Sequence, residues 1–412
     1  MDEFRDSFPV SRFPFSGSGA HPMKILTPTV LTYLKVVILV AVVPAIVGFV
    51  IVLMERRFMG FMQQRLGPNR VGPKGTLQGL ADLLKLVTKE DVTPARAEKA
   101  VHFLAPVLAV IPALTALAVI PFGPALRLTR GVATPLYVAD INIGLLFLLA
   151  ITSIGVYGII LGGWASNNKY SLLGGLRSAA QLVSYEVPMG LALVAVLLMT
   201  RSLSLVEIVQ RQERIHLWFV FPGLVAFFIY FVAGVAETNR NPFDLPEAES
   251  ELVSGFNTEY SGVKFAFFFL GEYTAMIIIS CVAVTVFFGG WLPPFPSVKA
   301  LAFLQVIPPM GWFLIKAGFF LFCYIWFRST FPRYRFDQLM ALGWKWMIPL
   351  ALANIVIVAL AILATPGRTN GLFTLAWVFG ALFVLMFLLA RLRQALTRRD
   401  RLAAEPRSAQ EA

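Results

Sequence analysis

The densest group of residues able to carry proton chemistry lies in one polar segment, residues 237–260. It holds six of the chain's 23 acidic residues and a single basic residue, Arg240. The six acids are Glu237, Asp244, Glu247, Glu249, Glu251 and Glu259. Glu247 and Glu251 are four residues apart and would share a helix face, where like charges repel. Because carboxylates crowded in this way titrate together, the segment predicts a group of acids that share protons.

Apolar residues are interleaved with these acids. Phe243, Leu245, Leu252 and Phe256 recur between the carboxylates. A solvated acidic loop is the alternative interpretation, but such a loop would not need large apolar side chains. The pattern therefore favours a segment that packs against the rest of the protein.

Two further carboxylates lie inside apolar sequence. Glu186 belongs to SYEVPMG, with Gln181 and Ser184 as polar neighbours, and Glu272 belongs to FFFLGEYTAM. A charge at the centre of a membrane costs about 2.5–3.5 kcal/mol on insertion scales, so such a residue must face protein or water. A proton or ion path is the functional hypothesis. A neutral, hydrogen-bonded structural glutamate and a position near the interface are the alternatives.

The connection over residues 55–100 is dense in basic side chains. Two Gly-Pro pairs bracket Asn69 and Arg70 and predict a rigid turn. Leu77, Leu80 and Leu84 then recur at helical spacing, which predicts an amphipathic helix at the membrane interface or over a cavity. A surface-lying helix with basic residues on the inner side is the alternative. A later connection has Arg328, Arg333 and Arg335 beside Asp337, which suits an interfacial anchor or a docking surface alike.

The composition places these polar segments in a membrane protein. Hydrophobic residues make up 58% of the 412, charged residues 14%, and the mean hydropathy is +0.74, whereas soluble domains carry about 25% charged residues. Runs of about 20 apolar residues can cross the membrane as helices. They cover residues 30–54, 101–121, 141–164, 182–200, 218–236, 264–290, 301–326, 346–364 and 371–390. The predicted fold is an all-α, polytopic bundle of about nine transmembrane helices.

Lys and Arg are distributed unevenly between the connections. Segments after the first, third, fifth, seventh and ninth runs hold 22 of them, and the other segments outside the runs hold 10. Because basic residues accumulate on the cytoplasmic side, this predicts an outer N-terminus and a cytoplasmic C-terminal tail. The net charge of +12 then reflects topology and anionic lipid head groups rather than nucleic-acid binding.

Few residues could hold a cofactor. Cys281 and Cys323 both lie in apolar runs, and an iron–sulfur cluster usually needs four ligands. The three histidines lie far apart without metal-ligand spacing. The sequence also lacks GxGxxG after a strand and GxxxxGK[ST]. We therefore expect no flavin, iron–sulfur cluster, metal or nucleotide site in this chain.

Several of these segments resemble one family. ERRFMGFMQQRLGPNRVGPKG, ADLLKLVTKE and AETNRNPFDLPEAESELVSGFNTEY closely resemble the H subunits of NADH-quinone oxidoreductase, which lie in the membrane at the heel of complex I. SYEVP, FFFLGEY and RYRFDQLM also resemble that family, in the same order. The resemblance covers residues 30–364. Related subunits occur in membrane-bound hydrogenases and formate hydrogenlyases, so the family alone leaves the electron donor open.

The resemblance implies a division of labour. In this family, iron–sulfur clusters in soluble subunits reduce a quinone in a chamber whose membrane entrance and wall the H subunit forms. The implied quinone-channel residues are Arg56, Arg65, Asp82, Lys85, Arg240, Asp244, Glu247, Glu249 and Glu251. The implied residues of a buried coupling path toward antiporter-like subunits are Glu186, Glu237, Glu259 and Glu272. Another subunit supplies the quinone-protonating residues, so no catalytic residue is expected in this chain.

The expected organisation has four regions. They are a flexible N-terminal extension (1–29), an eight-span quinone-channel domain (30–364), an additional ninth transmembrane helix (365–390) and a basic cytoplasmic tail (391–412). The expected setting is a bacterial inner membrane, with quinone-site, iron–sulfur, small membrane and antiporter-like subunits as partners. The alternatives are a hydrogenase-type membrane subunit and an independent ion transporter. Against the transporter, no inverted repeat is evident.

Overall fold

The computed structural model describes residues 28–129, 132–246, 249–294, 304 and 306–364. Long helices form this part of the chain, with one short hairpin of β1 (Leu126–Thr129) and β2 (Val132–Thr134). The first helix is α1 (Pro28–Ala45), which continues through a π-helical turn (Ile46–Ile51) into α2 (Val52–Met62). The next are α3 (Gln78–Thr88), α4 (Lys99–Leu117), α5 (Gly144–Ala165), α6 (Lys169–Thr200), α7 (Leu205–Ile215) and α8 (Leu224–Glu237). The last are α9 (Glu249–Leu252), α10 (Gly262–Phe287), α11 (Pro309–Thr330), α12 (Phe336–Ala341) and α13 (Ile348–Ala364).

Seven helices of the described chain are long and apolar enough to cross a membrane. They are Val30–Met62, α4, α5, α6, α10, α11 and Phe336–Leu363. The predicted run at 218–236 instead contains α8, which has only 14 residues where a span needs about 20. The run at 371–390 lies outside the described residues. The polytopic helical class is therefore confirmed, but the count of nine spans is not.

The hairpin and α7 are elements that the hydropathy pattern did not predict. α7 is amphipathic and lies in the connection between α6 and α8. Ser204 caps its first turn by accepting a hydrogen bond from the backbone N–H of Glu207. The Gln212 side chain donates to the carbonyl oxygens of Thr285 and Val286 at 3.1 and 3.2 Å. α7 therefore covers the C-terminal end of α10.

The length of α6 places part of it outside the hydrocarbon layer. Its 32 residues span about 48 Å at 1.5 Å per residue, against a hydrocarbon core of about 30 Å. Asn168 begins the helix by accepting a hydrogen bond from the Tyr170 N–H at 3.0 Å. The first turns of α6 consequently reach the polar segment 237–260, where the Ser171 hydroxyl donates to the Phe256 carbonyl at 3.1 Å.

Close backbone contact fixes α3 against the first span. A Cβ added at Gly79 would lie 2.5 Å from the carbonyl oxygen of Gly48 in the π-helical turn. No ordinary side chain fits at that distance, so Gly79 lets the two helices touch through their backbones. This contact sets the position of the residues that α3 presents, among them Asp82 and Lys85.

Replacing Gly79 with valine is expected to push α3 away from the first span. Overpacking a close contact costs about 1–3 kcal/mol, so the thermal unfolding midpoint of the purified complex should fall by several degrees. Gly48→Ala is the matched control, because a Cβ at Gly48 would meet nothing within 4 Å. An unchanged midpoint in the Gly79→Val protein would contradict the packing argument.

Candidate functional site

A buried carboxylate on α2 lies at the centre of a group of charged side chains. The Glu55 side chain is 4% exposed, and the Tyr273 hydroxyl donates to its Oε2 at 2.5 Å. Its other oxygen, Oε1, lies 3.4 Å from Arg240 Nη1 and also accepts a hydrogen bond from Arg328 Nη1. Glu55 therefore bridges two arginines and a tyrosine from three other parts of the chain.

Arg240 connects Glu55 to a second buried acid. Its Nε lies 2.8 Å from Glu272 Oε1, and its guanidinium stacks 4.2 Å from the centre of the Tyr273 ring. Burial works to lower the pKa of Arg240, but the neighbouring carboxylates outweigh it and hold that pKa above its ordinary value. We name Glu55, Arg240, Glu272, Tyr273 and Arg328 the Arg240 cluster. Two acids balance two arginines in it, which offsets the free-energy cost of burying these charges.

The end of α8 directs Arg240 into the bundle. Asn239 has a φ of 50°, a left-handed conformation that ends the helix and that Asn adopts more readily than most residues. The buried side chain of Gln181, which belongs to α6, holds this turn in place. Its amide nitrogen donates to the Ala236 carbonyl at 2.7 Å and to the Phe243 carbonyl at 2.8 Å. The position of Arg240 thus depends on one buried amide of a neighbouring helix.

Replacing Gln181 with leucine is expected to loosen this turn. The substitution leaves buried carbonyls unsatisfied, and each such loss costs about 1–3 kcal/mol. We expect a lower unfolding midpoint and faster proteolysis between α8 and α9. Gln210→Leu is the control, because Gln210 on α7 is only partly buried. Equal proteolysis rates in the two variants would argue against the clamp.

A cavity adjoins the Arg240 cluster. It has a volume of about 100 Å³ and lies among α4, α5, α6, α8 and α10. Glu237 and Glu272 both line it, together with polar Thr152, Thr238 and Asn239. A water molecule occupies roughly 10–15 Å³ on this measure, so the cavity has room for several. Glu237 Oε2 is buried with no hydrogen-bond partner in the described protein, as expected for an oxygen that bonds cavity water.

Glu186 extends the row of buried acids. It lies on α6, accepts a hydrogen bond from the Ser153 hydroxyl on α5, and is near enough to Glu237 to repel its charge. Glu186, Glu237 and Glu272 come from three different helices, and the fold brings them together. Glu272 belongs both to the cavity wall and to the Arg240 cluster. Glu237 and Glu272 therefore share the cavity wall, Glu186 lies near Glu237 without lining the cavity, and the role of the three acids in a coupling path stays a prediction.

The acids of the polar segment do not gather into one group. Asp244 pairs with Arg333 at 3.0 Å, and Glu251 pairs with Arg177 at 2.7 Å. Burial raises the pKa of the Asp244 carboxyl, and the nearby arginines offset this only in part. Glu247 and the side chain of Glu249 lie outside the described residues. Among the described acids, only those at or beside the cavity lie close enough together to favour the expected sharing of protons.

The predicted amphipathic helix is present as α3, and its single acid, Asp82, pairs with α2. Asp82 Oδ2 lies 2.5 Å from Arg56 Nη1, while Asp82 Oδ1 accepts from the Gln78 amide at 3.0 Å. Arg65 is exposed and contacts Gln63 Oε1 at 2.7 Å, and Lys85 is exposed. Arg65 and Lys85 are thus available to contact another protein or a ligand, and Arg56 and Asp82 brace α3.

Glu259 belongs to a separate polar group at the start of α10. Its Oε1 accepts a hydrogen bond from the Asn168 amide at 2.6 Å. The adjacent Tyr260 ring stacks on His102 with 4.0 Å between ring centres, and Lys264 pairs with Asp91 at 2.8 Å. Glu259 is not among the described residues that line the cavity. The fold therefore separates it from the other predicted coupling acids.

Sequence reasoning missed Glu55, the most connected acid in the site. It follows the first predicted run, residues 30–54, and directly precedes Arg56 and Arg57, so it was included in the basic connection rather than in the span. Arg328 was interpreted only as an anchor or docking residue. One sequence feature could have identified both residues. Glu55 and Arg328 each lie at the cytoplasmic end of an apolar run, and Arg240 lies on the same predicted side of the membrane.

Comparison with known proteins agrees with the motifs. The family model described as NADH dehydrogenase matches residues 34–359. The NADH-quinone oxidoreductase H subunit of Magnetococcus marinus is 53% identical over 330 residues, which cover 80% of this chain and 91% of that protein. The NADH-quinone oxidoreductase H subunit numbered 2 of Koribacter versatilis is 50% identical over 340 residues, which cover 79% and 95%. The resemblance is thus confirmed, and the chain belongs to the NADH dehydrogenase family, with H subunits of NADH-quinone oxidoreductase among its relatives.

Proposed function

We propose that this chain is the membrane subunit that forms the quinone channel of a proton-translocating NADH–quinone oxidoreductase and transmits quinone reduction to proton pumping. The observation that carries the proposal is Glu272, which joins the Arg240 cluster to the carboxylate-lined cavity. One side chain thereby connects a fixed group of charges with a space able to hold water. The names and coverage of the two relatives support the same assignment.

In this proposal the chain forms the wall of the quinone channel and supplies charged side chains, while the redox centres belong to its partner subunits. Within the described residues no group of three or more His, Cys, Asp or Glu could hold a metal ion. Quinone enters as substrate, and electrons and the quinone-protonating groups come from peripheral subunits. The basic and amphipathic surface around Arg65 and Lys85 on the inner side is the proposed contact with those subunits. The remaining partners are the small membrane subunits and the antiporter-like subunits.

Proton coupling follows from the arrangement of charges. Reduction of a quinone consumes protons in a confined region of low dielectric constant, where charge interactions are strong. A change at the Arg240 cluster alters the field at Glu272, because Arg240 Nε lies 2.8 Å from its carboxylate. The cavity then relays that change to Glu237 and Glu186 through water and direct repulsion. Protonation of the three acids is thus coupled to the quinone end.

Neutralising an acid at or beside the cavity tests this coupling. Glu237→Gln or Glu186→Gln is expected to lower the proton-to-electron ratio of quinone-linked turnover while the complex still assembles, because fewer coupled carboxylates respond to quinone reduction. Proton uptake into vesicles and NADH oxidation would be recorded together. Glu90→Gln is the control, since Glu90 is exposed on a different connection. A normal proton-to-electron ratio in both the Glu237→Gln and the Glu186→Gln variants would contradict the coupling hypothesis.

Isolation of the chain tests its membership in a complex. An affinity tag is placed on the chain, the membranes are dissolved in a mild detergent, and the eluate is assayed for NADH oxidation. The proposal predicts that NADH-oxidising and iron–sulfur subunits elute with the tagged chain in fixed proportion. Elution of the chain by itself would favour an independent transporter, and elution with a hydrogenase would favour the related hydrogenase-type subunit.

A further inference from the structure

An open groove lies at the far end of α6, remote from the Arg240 cluster. Its volume is about 770 Å³, and its walls come from the C-terminal ends of α6 and α13 and from the connection after α6. Gln181 and Arg201 lie 20 residues apart on and just after α6, which corresponds to about 30 Å along a helix. The groove and the Arg240 cluster are therefore at opposite faces of the membrane.

The polarity of the groove changes along its length. Val194, Leu198 and Ile362 give it apolar walls, whereas Asn142, Arg201 and Ser202 are polar. Arg201 and Ser202 follow Thr200, the last residue of α6, and Asn142 precedes Gly144, the first residue of α5. The apolar residues lie within the helices. The groove thus runs from the level of the lipid head groups into the hydrocarbon layer.

Arg201 is placed to bind an anion at the head-group end. It is the residue at which α6 ends, with a φ of 59°, and it is exposed. Among the described residues it makes no ion pair. Asp140, an acid of the neighbouring connection, accepts a hydrogen bond from the Ser204 hydroxyl at 2.9 Å. The guanidinium therefore has donors available for a phosphate, which arginine binds in a bidentate manner.

We propose that this groove binds one phospholipid, with its phosphodiester on Arg201 and an acyl chain between α6 and α13. The volume is within the roughly 300–1,000 Å³ range of small-molecule sites. A quinone head group is neutral and would form no ion pair with the arginine. A small soluble anion would leave the apolar walls uncovered. This site lies at the opposite membrane face from the proposed quinone channel and does not depend on that proposal.

Lipid retention by the purified complex tests the site. The complex is stripped with detergent, titrated with dioleoylphosphatidylglycerol, and its bound lipids are counted by native mass spectrometry. We expect Arg201→Gln to weaken binding of one lipid at least tenfold. Arg201→Lys should weaken it less, because lysine keeps the positive charge but lacks the paired N–H donors of the guanidinium. Leu198→Trp should remove the same lipid by filling the groove.

Matched controls separate this lipid from the general lipid shell. Arg214→Gln removes an exposed arginine of α7 that does not line the groove, and lipid counts should equal those of the unsubstituted complex. Dioleoylglycerol, which lacks the phosphate, should bind at least tenfold more weakly than the phospholipid. Unchanged retention in both Arg201→Gln and Leu198→Trp would overturn the proposal, as would equal binding of dioleoylglycerol.

A second occupant is tested directly. The predicted ninth span, residues 371–390, could fill the same groove from within the chain. A cysteine pair at Leu198 and Trp377 would then form a disulfide efficiently in native membranes. Efficient cross-linking would overturn the lipid assignment, and its absence together with loss of the lipid in Leu198→Trp would support it.

Discussion

Replacing Arg240 with methionine is expected to abolish quinone-linked NADH oxidation and to destabilise the membrane bundle by about 3–5 kcal/mol, the usual effect of removing one partner from a buried ion pair. The cause is the burial of its partners. Glu55 and Glu272 would keep their charges with only Arg328 to oppose them. NADH–quinone reductase activity and the unfolding midpoint of the complex measure the two effects.

A second substitution distinguishes charge imbalance from lost packing. Glu272→Gln combined with Arg240→Met removes one charge of each sign, so it should recover part of the lost stability. Activity should stay low, because the connection from the cluster to the cavity is gone. Arg335→Met is the control, since the Arg335–Asp337 pair is 3.6 Å long and its side chains are 80% and 77% exposed. An Arg240→Met protein as stable as the unsubstituted protein would contradict the description of the cluster.

Replacing Glu55 with glutamine is expected to reduce quinone-linked activity at least tenfold. Glutamine can still accept a hydrogen bond from Tyr273, but it leaves Arg240 and Arg328 with one carboxylate between them. Uncompensated buried charge is costly, so Arg328 should withdraw toward solvent and the cluster should open. Activity with a quinone acceptor, compared with activity toward ferricyanide, would measure the loss at the quinone end.

Two further variants serve as controls for Glu55→Gln. Glu55→Asp keeps the charge on a shorter side chain and should retain more activity than the glutamine variant. Glu90→Gln makes the same chemical change at an exposed position and should have little effect. Full activity in Glu55→Gln would show that the bridge between the two arginines is dispensable.

Much of the fold follows from local sequence. Apolar runs of sufficient length form helices in lipid because each backbone group must find its partner within the segment. The amphipathic pattern at Leu77, Leu80 and Leu84 likewise predicted α3 before its partners were known. α7 was not predicted because a search for apolar runs of about 20 residues passes over an 11-residue amphipathic helix, although Leu205, Ile208 and Val209 recur at helical spacing.

The site is harder to predict because its contacts are distant in sequence. Glu55 lies 185 residues from Arg240 and 273 from Arg328, and no local pattern joins them. Glu186 and Glu272 could be singled out, since a carboxylate in apolar sequence is expensive wherever it occurs, whereas Glu237 was named only as one acid of the polar segment and through the family resemblance. The placement of Glu237 and Glu272 on one cavity wall, with Glu186 near Glu237, depends on how α5, α6, α8 and α10 pack.

The acidic segment shows how composition can mislead about geometry. Its six carboxylates suggested one coupled cluster, yet Asp244 and Glu251 pair with different arginines and Glu259 lies with Asn168. Each arginine comes from another element, which the spacing of the acids does not reveal. The described carboxylates of the polar segment are therefore distributed among different packing partners.

The decisive measurement compares two activities in the same membranes. NADH–quinone reductase and NADH–ferricyanide reductase would be assayed with Arg56 or Glu249 replaced, alongside proton pumping. If the chain lies at the quinone end of the enzyme, quinone-dependent activity and pumping fall while ferricyanide reduction persists. If both activities are untouched, the chain does not serve quinone reduction, and a hydrogenase-type subunit or an independent transporter becomes the better description.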